Sequence, residues 1–495
     1  MGRRSRYSRP GLTGWREGAF RPVAREELST DAATPADWLV VAVKLLLDAV
    51  GVERRGQVIR GFGDSINQAR FESGRNRVAE QQSPGKPFEI SKMEVWRAWE
   101  KVRENKGAAG VDRQSIEDFE QDLRNNLYKI WNRMSSGSYF PPPVRAVEIH
   151  KPGGTRTLGV PTVGDRVAQT VVAARLEARM EQIFHRDSYG YRPGRSALQA
   201  VARTKERCWR MDWVVDMDIA KFFDSVPWDL MLKAVEANTD QPWIILYVKR
   251  WLAAPMVTAD GTVVHRERGT PQGSAASPAL ANLFLHYALD SWLTKTFPDV
   301  EFARYVDDAV VHCRGEARAI QVRDAIAERL RQVGLRLHPD KTRIVYCQDS
   351  NRRGSYERTS FTFLGFTFRQ REARNRRGQN FSGFLPARSD AAQRKMNTTV
   401  RSWKLHHKTN LTLADLARWI NPIVRGWMQY YGAFYRSKLH QLLERINAYL
   451  MRFLRRKLKR LRGKKRALQY WSRLVATRRG LFAHWAWVTS LTTAW

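Results

Sequence analysis

Cysteine is scarce in this chain of 495 residues, which has only Cys208, Cys313 and Cys347. The three are far apart in the sequence, and no two of them form a Cys-x-x-Cys pair. This spacing excludes a disulfide framework and the common zinc ribbons and knuckles. So few cysteines are typical of a protein from a reducing compartment, and we expect a cytoplasmic location.

Long hydrophobic runs are also missing. The apolar stretch at residues 38–52 contains Lys44 and Asp48 and is too short to span a bilayer. Its spacing predicts an amphipathic helix, followed by a second, polar helix at 65–79. The basic N-terminus lacks the continuous apolar core of a signal peptide. We therefore expect no membrane as a partner.

Acidic residues are outnumbered, because Lys and Arg total 85, Asp and Glu total 49, and the formal net charge is +36. This charge attracts polyanions, and we expect nucleic acid as the partner rather than the alternative, an acidic membrane surface. No acidic residue follows Glu444, and residues 439–461 combine apolar residues at helical spacing with a basic opposite face. A charged face of one sign indicates contact with a phosphate backbone. The candidate RNA-binding residues of this face are Arg455, Arg456, Lys459 and Arg460.

Two acids are adjacent within residues 301–312, where Asp307 and Asp308 lie between two runs of apolar, β-forming residues. This pattern predicts a tight hairpin of strand, acidic turn and strand. A solvent-facing turn would normally use Gly, Asn or Pro, and this turn has none of them. Adjacent carboxylates repel each other, and a hard divalent cation such as Mg²⁺ is a suitable counter-ion because it takes oxygen ligands. A plain acidic turn is the alternative.

Another acidic segment precedes this hairpin in the chain. Residues 213–219 predict a buried strand that carries Asp216 and Asp218, and Asp224 begins the next helix. A carboxylate at the end of a buried strand costs free energy unless it is paired or bound to a metal. Asp218 is therefore the candidate partner of Asp307. Asp216, on the same strand face, and Asp224, beside a helix cap, have structural alternatives.

Three loops have the composition of phosphate or nucleic-acid contacts. Residues 151–156 form a basic tip between two predicted strands, which can place Lys151 and Arg156 on a triphosphate, although a solvated basic turn is commoner. Residues 188–196 mix aromatics, glycines and arginines, which suits a nucleic-acid strand or, alternatively, a packed aromatic loop. Residues 268–278 have small side chains that allow a ligand close to the backbone, and they lead into a helix whose N-terminus favours phosphate. The candidate RNA contacts in the second loop are Arg192 and Arg195.

Periodicity predicts the remaining elements in outline. Helices are expected at 90–133, at 166–184, from the loop at 268–278 to about Trp292, at 317–333, and from Asp390 onward. The first has a predicted N-cap at Ser91 and a break at 107–110, and Gly334 is the predicted stop of the fourth. Strands are expected at 144–149 and 335–338, and a hairpin at 361–368.

Taken in order, these motifs resemble the reverse transcriptases encoded by bacterial group II introns, which also act as maturases that bind their own intron RNA. The resemblance covers residues 88–487 and rests on the segments SYGYRPGRSA, DIAKFFDSV, RGTPQGSAASPALANLFLH, RYVDD, GLRLHPDKT, FTFLGFTF and RGWMQYYGAFYRS. It implies an α+β right-hand polymerase fold with fingers, an antiparallel palm sheet and an α-helical thumb, or X, domain. The implied division is an N-terminal extension at 1–86 as a candidate RNA-binding arm, fingers at 87–200, palm at 201–375, thumb at 376–465 and a basic, aromatic segment for DNA or RNA at 466–495.

The resemblance also implies roles for single residues. Asp218, Asp307 and Asp308 correspond to the carboxylates that bind two Mg²⁺ ions, or Mn²⁺, with the carbonyl of Ile219 completing the shell. The implied nucleotide contacts are Lys151 and Arg156 on the triphosphate, Phe223 as the steric gate against a 2′-hydroxyl, Gln272 and Gly273 at the nascent base pair, and Lys341 near the pyrophosphate.

The activity implied is RNA-directed DNA synthesis from dNTPs on an RNA template with a DNA primer, together with splicing and retromobility of a group II intron RNA into target DNA. Its place would be the bacterial cytosol or nucleoid, and the oligomeric state is left open. Val306 replaces the usual alanine, and residues 1–86 match no family block, so a domesticated relative in phage defence or DNA repair is the alternative. A splicing factor with an inactive polymerase is a third hypothesis, against which the intact aspartates argue. No His/Cys-rich endonuclease follows the thumb, so we expect the endonuclease-lacking form, primed from another source such as a replication fork.

Overall fold

The computed structural model of the protein describes residues 86–151, 154–374 and 377–491. The helices expected at 38–52 and 65–79 lie outside these residues. The first half of the described chain contains α1 (Lys92–Asn105), α2 (Ile116–Gln121), α3 (Leu123–Ser135), β1 (Val144–Lys151), β2 (Gly154–Val160), α4 (Val163–Ile183), α5 (Ala197–Cys208), β3 (Trp213–Met217), α6 (Phe222–Ser225), α7 (Trp228–Glu236), α8 (Pro242–Ala253), β4 (Met256–Val257) and β5 (Val263–Val264).

The second half begins with α9 (Ser277–Leu285), which continues through a π-helix (His286–Asp290) into α10 (Ser291–Thr296). It then contains β6 (Glu301–Tyr305), β7 (Asp308–Cys313), α11 (Glu316–Gln332), β8 (Arg343–Tyr346), β9 (Ser360–Phe363), β10 (Phe366–Arg374), β11 (Asn380–Arg388), α12 (Asp390–Ser402), α13 (Leu413–Tyr431), α14 (Ser437–Lys457) and α15 (Lys464–Thr477). Short 3₁₀ turns lie at Leu405–His407, Lys459–Leu461 and Ala483–Ala486.

The central sheet has the strand order β6-β7-β3-β8, and all neighbouring strands are antiparallel. The hairpin predicted within 301–312 is confirmed, because β6 and β7 pair across the two-residue turn Val306–Asp307. Successive side chains of a strand point to opposite faces. Val215 therefore packs into one hydrophobic core and Val214 into another.

The two cores give the molecule the expected α+β right-hand arrangement, with the central sheet as the palm. One core joins the palm to helices α1, α3 and α4 of the fingers. The other joins it to helices α12 to α14, in the range expected for the thumb, and to α15 at the start of the C-terminal segment. The predicted β1–β2 and β9–β10 hairpins are present, and each belongs to a further sheet, of order β2-β1-β4-β5 and β11-β10-β9 respectively.

Several helix boundaries follow from local chemistry that the sequence predicts. Ser91 caps α1 in a reciprocal pair with Glu94, whose carboxylate accepts the Ser91 backbone N–H while the Ser91 hydroxyl accepts the Glu94 N–H. Gly334 follows the end of α11 with a φ of +75°, a conformation that stops the helix at little cost for glycine.

Three expected elements differ in the structure. The strand expected at 335–338 is a single bridge between Leu337 and Ile219, because Pro339 follows and has no N–H with which to extend the pairing. The strand expected to reach Ile219 ends at Met217. The helix expected to end near Trp292 runs on to Thr296, and its middle widens into the π-helix.

The thumb core continues beyond residue 465 into the C-terminal segment. Trp471 and Trp485 belong to the same buried cluster as the leucines of α14. Asn447 on α14 donates to the carbonyl groups of Val488 and Ser490, which ties this segment to the helix. Among the described residues, none of the helices has the length and apolar character needed to cross a membrane.

Candidate active site

The register of the palm sheet brings the predicted acidic residues together. Met217, the last residue of β3, pairs with Ala309 on β7. Asp218 follows Met217, and Asp308 precedes Ala309, so these two aspartates occupy facing positions at the end of the antiparallel pair. Asp307 is the second residue of the turn that joins β7 to β6. The end of β3 therefore lies beside the acidic turn.

The carboxylates repel one another across this space. Desolvation and the nearby charges of Asp307 and Asp218 raise the pKa of Asp308 to about 7, and Lys341 lowers it in part. Desolvation also raises the pKa of Asp307, with a smaller opposing effect from Arg156. Desolvation and Asp308 raise the pKa of Asp216 to about 7. An accumulation of negative charge of this kind favours binding of a cation.

The donor set suits a hard divalent cation. Within the part of the chain that the structure describes, no group of three or more His, Cys, Asp or Glu side chains is arranged closely enough to hold a metal ion. The groups at this end of the sheet are carboxylate oxygens, which Mg²⁺ prefers. Desolvation is the main cause of the raised pKa values of Asp307 and Asp308, and a cation would offset both this cost and the added repulsion from neighbouring carboxylates. Asp224 lies exposed inside α6.

The turn that carries the acids is strained and tightly packed. Val306 is buried and has a φ of +60°, which is costly for a β-branched residue. Gly190, in the aromatic loop, lies against it. A Cβ atom at Gly190 would come within 2.6 Å of Val306 Cγ2 and 2.8 Å of its backbone nitrogen.

A buried arginine holds this turn from behind. Arg304 Nη1 donates to the carbonyl of Val306 over 3.0 Å and to Asn282 Oδ1 over 3.0 Å. Its Nε donates to Asp290 Oδ1 over 2.7 Å, and its Nη2 donates to Ser188 Oγ over 2.9 Å. Both Arg304 and Asp290 are fully buried, so each charge depends on the other and on its hydrogen bonds for stabilisation.

The basic hairpin tip meets the glycine-containing loop as the sequence suggests. Arg156 Nε donates to Gln272 Oε1, and the backbone N–H of Gly159 donates to the Gln272 carbonyl over 2.7 Å. Gly273 has a φ of +109°, and a Cβ atom there would lie 2.7 Å from the Gly159 carbonyl oxygen. The side chain of Lys151 lies outside the described part of the structure.

The same loop holds the turn that carries Phe223. The Thr270 N–H donates to the Phe223 carbonyl over 2.7 Å. Gly269 has a φ of +78°, and a Cβ atom there would lie 2.6 Å from that carbonyl oxygen. The Phe223 ring is half-buried and packs edge-on against Phe222. Lys341 Nζ lies 3.2 Å from Asp218 Oδ2.

Two family models match the chain over the regions just described. Residues 149–368 match the model described as reverse transcriptase (RNA-dependent DNA polymerase). Residues 393–471 match the group II intron, maturase-specific domain. The chain therefore combines a reverse transcriptase domain with a group II intron maturase-specific domain.

Known proteins similar to this reverse transcriptase include YkfC of Escherichia coli K12, which is 28% identical over 54% of this chain and 78% of YkfC. The group II intron-encoded protein LtrA of Lactococcus lactis subsp. cremoris is 30% identical over 38% of this chain and 32% of LtrA. The match therefore spans most of YkfC but about a third of LtrA. Among solved structures, a Candida albicans telomerase in complex with a telomeric RNA fragment aligns over 75% of this chain and 68% of its own, with 13% identity and a TM-score of 0.40.

One of the RNA contacts expected of this reverse transcriptase is not available at the surface. Arg192 is buried, pairs with Glu181 through two nitrogens, and donates to the carbonyl groups of His185 and Ser188. Its Nε, Nη1 and Nη2 atoms all donate within the protein and shape the loop, so the expectation that Arg192 binds RNA is wrong. Arg195 is partly exposed, with its guanidinium 6.0 Å from the Tyr189 ring centroid.

The basic face of α14 reaches solvent to different extents. Arg455 donates to the Arg462 carbonyl over 2.7 Å, and Arg456 approaches His407 Nδ1 at 3.2 Å. Lys459 and Arg460, just beyond the helix, are exposed.

The residues that support the acidic turn are not predicted by local sequence patterns. Arg304 lies on a strand whose neighbours Ala303 and Phe302 are buried, and a charged residue within such a run is the signal that was available. Asp290 and Asn282 belong to helices that follow the loop at 268–278, and only the folded chain brings them to Arg304.

Proposed function

We propose that this reverse transcriptase extends a DNA primer on an RNA template by using a pair of Mg²⁺ ions, or Mn²⁺, bound by Asp218, Asp307, Asp308 and the carbonyl of Ile219. The observation that carries the proposal is the facing position of Asp218 and Asp308 at the end of β3 and β7. When bound, the two ions would favour loss of the proton from the primer 3′-oxygen and stabilise the charge on the leaving oxygen. The aspartates would hold the two ions in position beside the reacting oxygens.

The triphosphate of the incoming dNTP would lie against the β1–β2 tip. Arg156 provides a forked cation for a phosphate, and Lys151 adds a point charge at the end of β1. The Arg156 bond to Gln272 supports this assignment, since it links the phosphate-binding side to the loop that would pack on the nascent base pair. The open backbone at Gly273 leaves room for that base pair. Lys341 would offset the charge of the departing pyrophosphate.

The half-buried ring of Phe223 would select the sugar. The hydrogen bond from the Thr270 N–H to the Phe223 carbonyl fixes the backbone from which the ring projects. A 2′-hydroxyl on the incoming nucleotide would then meet an apolar ring that cannot move aside or offer a hydrogen bond. We expect discrimination in favour of dNTPs over rNTPs.

The thumb would bind the group II intron RNA. A cavity of about 630 Å³ opens between the 3₁₀ turn at Lys459–Leu461, the start of α13 and α15. The basic and aromatic side chains that line it are Arg460, Arg466, Tyr470, Arg473 and Arg478. No Asp or Glu is among the described residues that line this cavity. Arginines beside an aromatic ring suit a phosphate backbone with a stacked base. Lys459, which precedes Arg460 in the 3₁₀ turn, would extend this contact, as would Arg455 and Arg456 on α14 and Arg195 in the aromatic loop.

Splicing assistance and insertion into target DNA belong to the same proposal. The maturase-specific domain at 393–471 favours an intron-linked role over a domesticated one. The bound RNA would then serve both as the structure to be stabilised and as the template to be copied.

Primer extension on an RNA template with dNTPs and Mg²⁺ tests the proposal. The native protein should incorporate nucleotides, and Asp307→Ala should reduce the rate on the order of a thousandfold or more. Asp224→Ala is the matched control, since it removes an exposed carboxylate from the same region and should retain activity. Absence of incorporation by the native protein, or equal rates for Asp307→Ala and the native protein, would refute the proposal.

A further inference from the structure

A buried polar network connects the fingers to the loop at 268–278. Asp165 and Gln169 lie one turn apart on α4 and are 1% and 2% exposed. Gln169 Nε2 donates to Asp165 Oδ2 over 2.8 Å. Gln169 Oε1 accepts from Ser274 Oγ over 2.6 Å and from the Ala275 N–H over 2.8 Å. One glutamine side chain thus joins a buried acid to the loop.

Asp165 fixes the orientation of the Gln169 amide. Its Oδ1 accepts hydrogen bonds from the Tyr139 hydroxyl over 2.8 Å and from Trp251 Nε1 over 2.7 Å. An ionised carboxylate can only accept, so it requires the NH₂ end of Gln169. The carbonyl end must then face Ser274 and Ala275. The Gln169 carbonyl oxygen therefore faces the loop because the Asp165 carboxylate binds the Gln169 NH₂ group.

The loop that Gln169 holds is the one that carries Gln272 and Gly273. Only Gly273 lies between Gln272 and Ser274, so a shift at Ser274 moves the Gln272 backbone. That backbone accepts the Gly159 N–H over 2.7 Å, and the Gln272 side chain accepts from Arg156. A displacement of the loop therefore changes both the base-pair side and the phosphate side of the nucleotide site.

We propose that Asp165 and Gln169 are positioning residues for the incoming nucleotide, acting through Ser274 and Ala275 without touching the substrate. This inference rests on the proposed polymerase function. Burial raises the pKa of Asp165 to about 6, although hydrogen bonds from Trp251, Tyr139 and Gln169 lower it in part. The carboxylate is thus mainly ionised at neutral pH, as the network requires.

The test exchanges donor and acceptor within the pair. Asp165→Asn places an NH₂ group against the NH₂ of Gln169, and Gln169→Glu places two carboxylates against each other. The double variant Asp165→Asn/Gln169→Glu restores one donor and one acceptor and keeps the net charge and side-chain lengths. The carboxylate introduced at position 169 still offers an oxygen to Ser274 and Ala275.

We expect each single variant to raise the KM for dNTP on the order of tenfold, the cost of an unsatisfied buried group, with a smaller change in kcat. The double variant should return the KM to within about threefold of native. The matched control is the pair Glu328 and Gln332, which form the same hydrogen bond four residues apart on the exposed side of α11. Glu328→Gln/Gln332→Glu and its single variants should leave the KM unchanged.

Hydrogen–deuterium exchange of residues 268–276 provides a readout that needs no catalysis. Exchange should be faster in both single variants and return towards native in the double variant. Ser274→Ala removes one hydrogen bond and no charge. It should accelerate exchange and should raise the KM less than Gln169→Glu does. This variant keeps the test valid if the single charge variants do not fold. The inference would be overturned if Ser274→Ala and the single variants showed native KM values and native exchange rates. It would also be overturned if the double variant had a KM and an exchange rate no closer to native than those of the single variants. A native protein without incorporation would instead refute the polymerase proposal, and the exchange data would still decide whether the network holds the loop.

Discussion

Arg304 donates a hydrogen bond to the backbone carbonyl of Val306 over 3.0 Å, from a side chain with no exposure to solvent. Val306 has a left-handed backbone and is followed directly by Asp307. The buried pair of Arg304 and Asp290 therefore fixes the orientation of the acidic turn from behind. The geometry of the site depends on residues that do not themselves face the substrate.

Replacement of Arg304 by lysine should separate this role from stability. Lysine keeps the positive charge next to Asp290 but cannot make the forked contacts to Asp290, Asn282 and Val306 at the same time. We expect at least about a tenfold loss of primer extension, since one displaced site residue has effects of this size. The measurement is kcat on a primed RNA template, together with the melting temperature.

The control for this substitution is Arg318→Lys, because Arg318 makes a two-nitrogen contact with Asp299 at the surface. An exposed pair contributes little, so this variant should retain native kcat and stability. Native kcat in Arg304→Lys would show that the fork to Val306 is dispensable.

Gly190→Ala should displace the acidic turn from the other side. The added Cβ would lie 2.6 Å from Val306 Cγ2 and 2.8 Å from the Val306 nitrogen, and the backbone atom cannot move aside cheaply. We expect a loss of stability of about 1–3 kcal/mol and a clear loss of polymerase activity. Thermal unfolding and primer extension measure the two effects. Gly480→Ala, where a Cβ meets nothing within 4 Å, should change neither. A fully active Gly190→Ala variant would contradict the packing described for this turn.

His484 should make the stability of the thumb depend on pH. Burial lowers its pKa to about 3, and its ring nitrogen Nε2 lies 2.7 Å from Asn447 Oδ1. The ordinary pKa of histidine is about 6.5, so below that pH the unfolded chain binds a proton that the folded chain does not. The stability contributed by neutral His484 is fully present above pH 6.5 and falls as the pH drops towards 3.

One pH unit below 6.5 should cost about 1.4 kcal/mol through this group. Other buried groups titrate as well, and buried Asp165 has the opposite sign because its pKa is raised. The informative quantity is therefore the difference between the native protein and His484→Gln in the change of melting temperature from about pH 7.5 to about pH 5.5. The variant should lose less stability than the native protein over this range. Equal changes would contradict the assignment.

Binding of RNA should weaken steeply as salt is added, because counterions are released when arginines contact phosphates. Arg466→Ala/Arg473→Ala should reduce the slope of log affinity against log salt by about 1.4, or roughly 0.7 for each phosphate contact with single-stranded RNA. The control is Arg323→Ala/Arg331→Ala on α11, where both arginines pair with acidic neighbours. A nearly flat salt response of the native protein would contradict RNA binding by the thumb.

The sequence predicts those parts of the site that depend on local patterns. Runs of apolar, β-forming residues on both sides of Asp307 and Asp308 are sufficient to predict the hairpin, and the strand before Asp218 is predicted in the same way. Long-range contacts are different, because no periodicity shows that Arg304 will meet Asp290 or that Gln169 will meet Ser274. Arg192 illustrates the same limit. Its loop has the composition of an RNA contact, but Glu181, near the end of the preceding helix α4, binds the buried guanidinium.

The most direct test of the account is anomalous diffraction from crystals grown with Mn²⁺, an RNA template, a DNA primer and a non-hydrolysable dNTP analogue. The account predicts two anomalous peaks about 3.5–4 Å apart, bound by Asp218 and Asp307, with Asp308 beside them. Peaks away from these carboxylates, or Asp218 bound to no ion that Asp307 also binds, would contradict it.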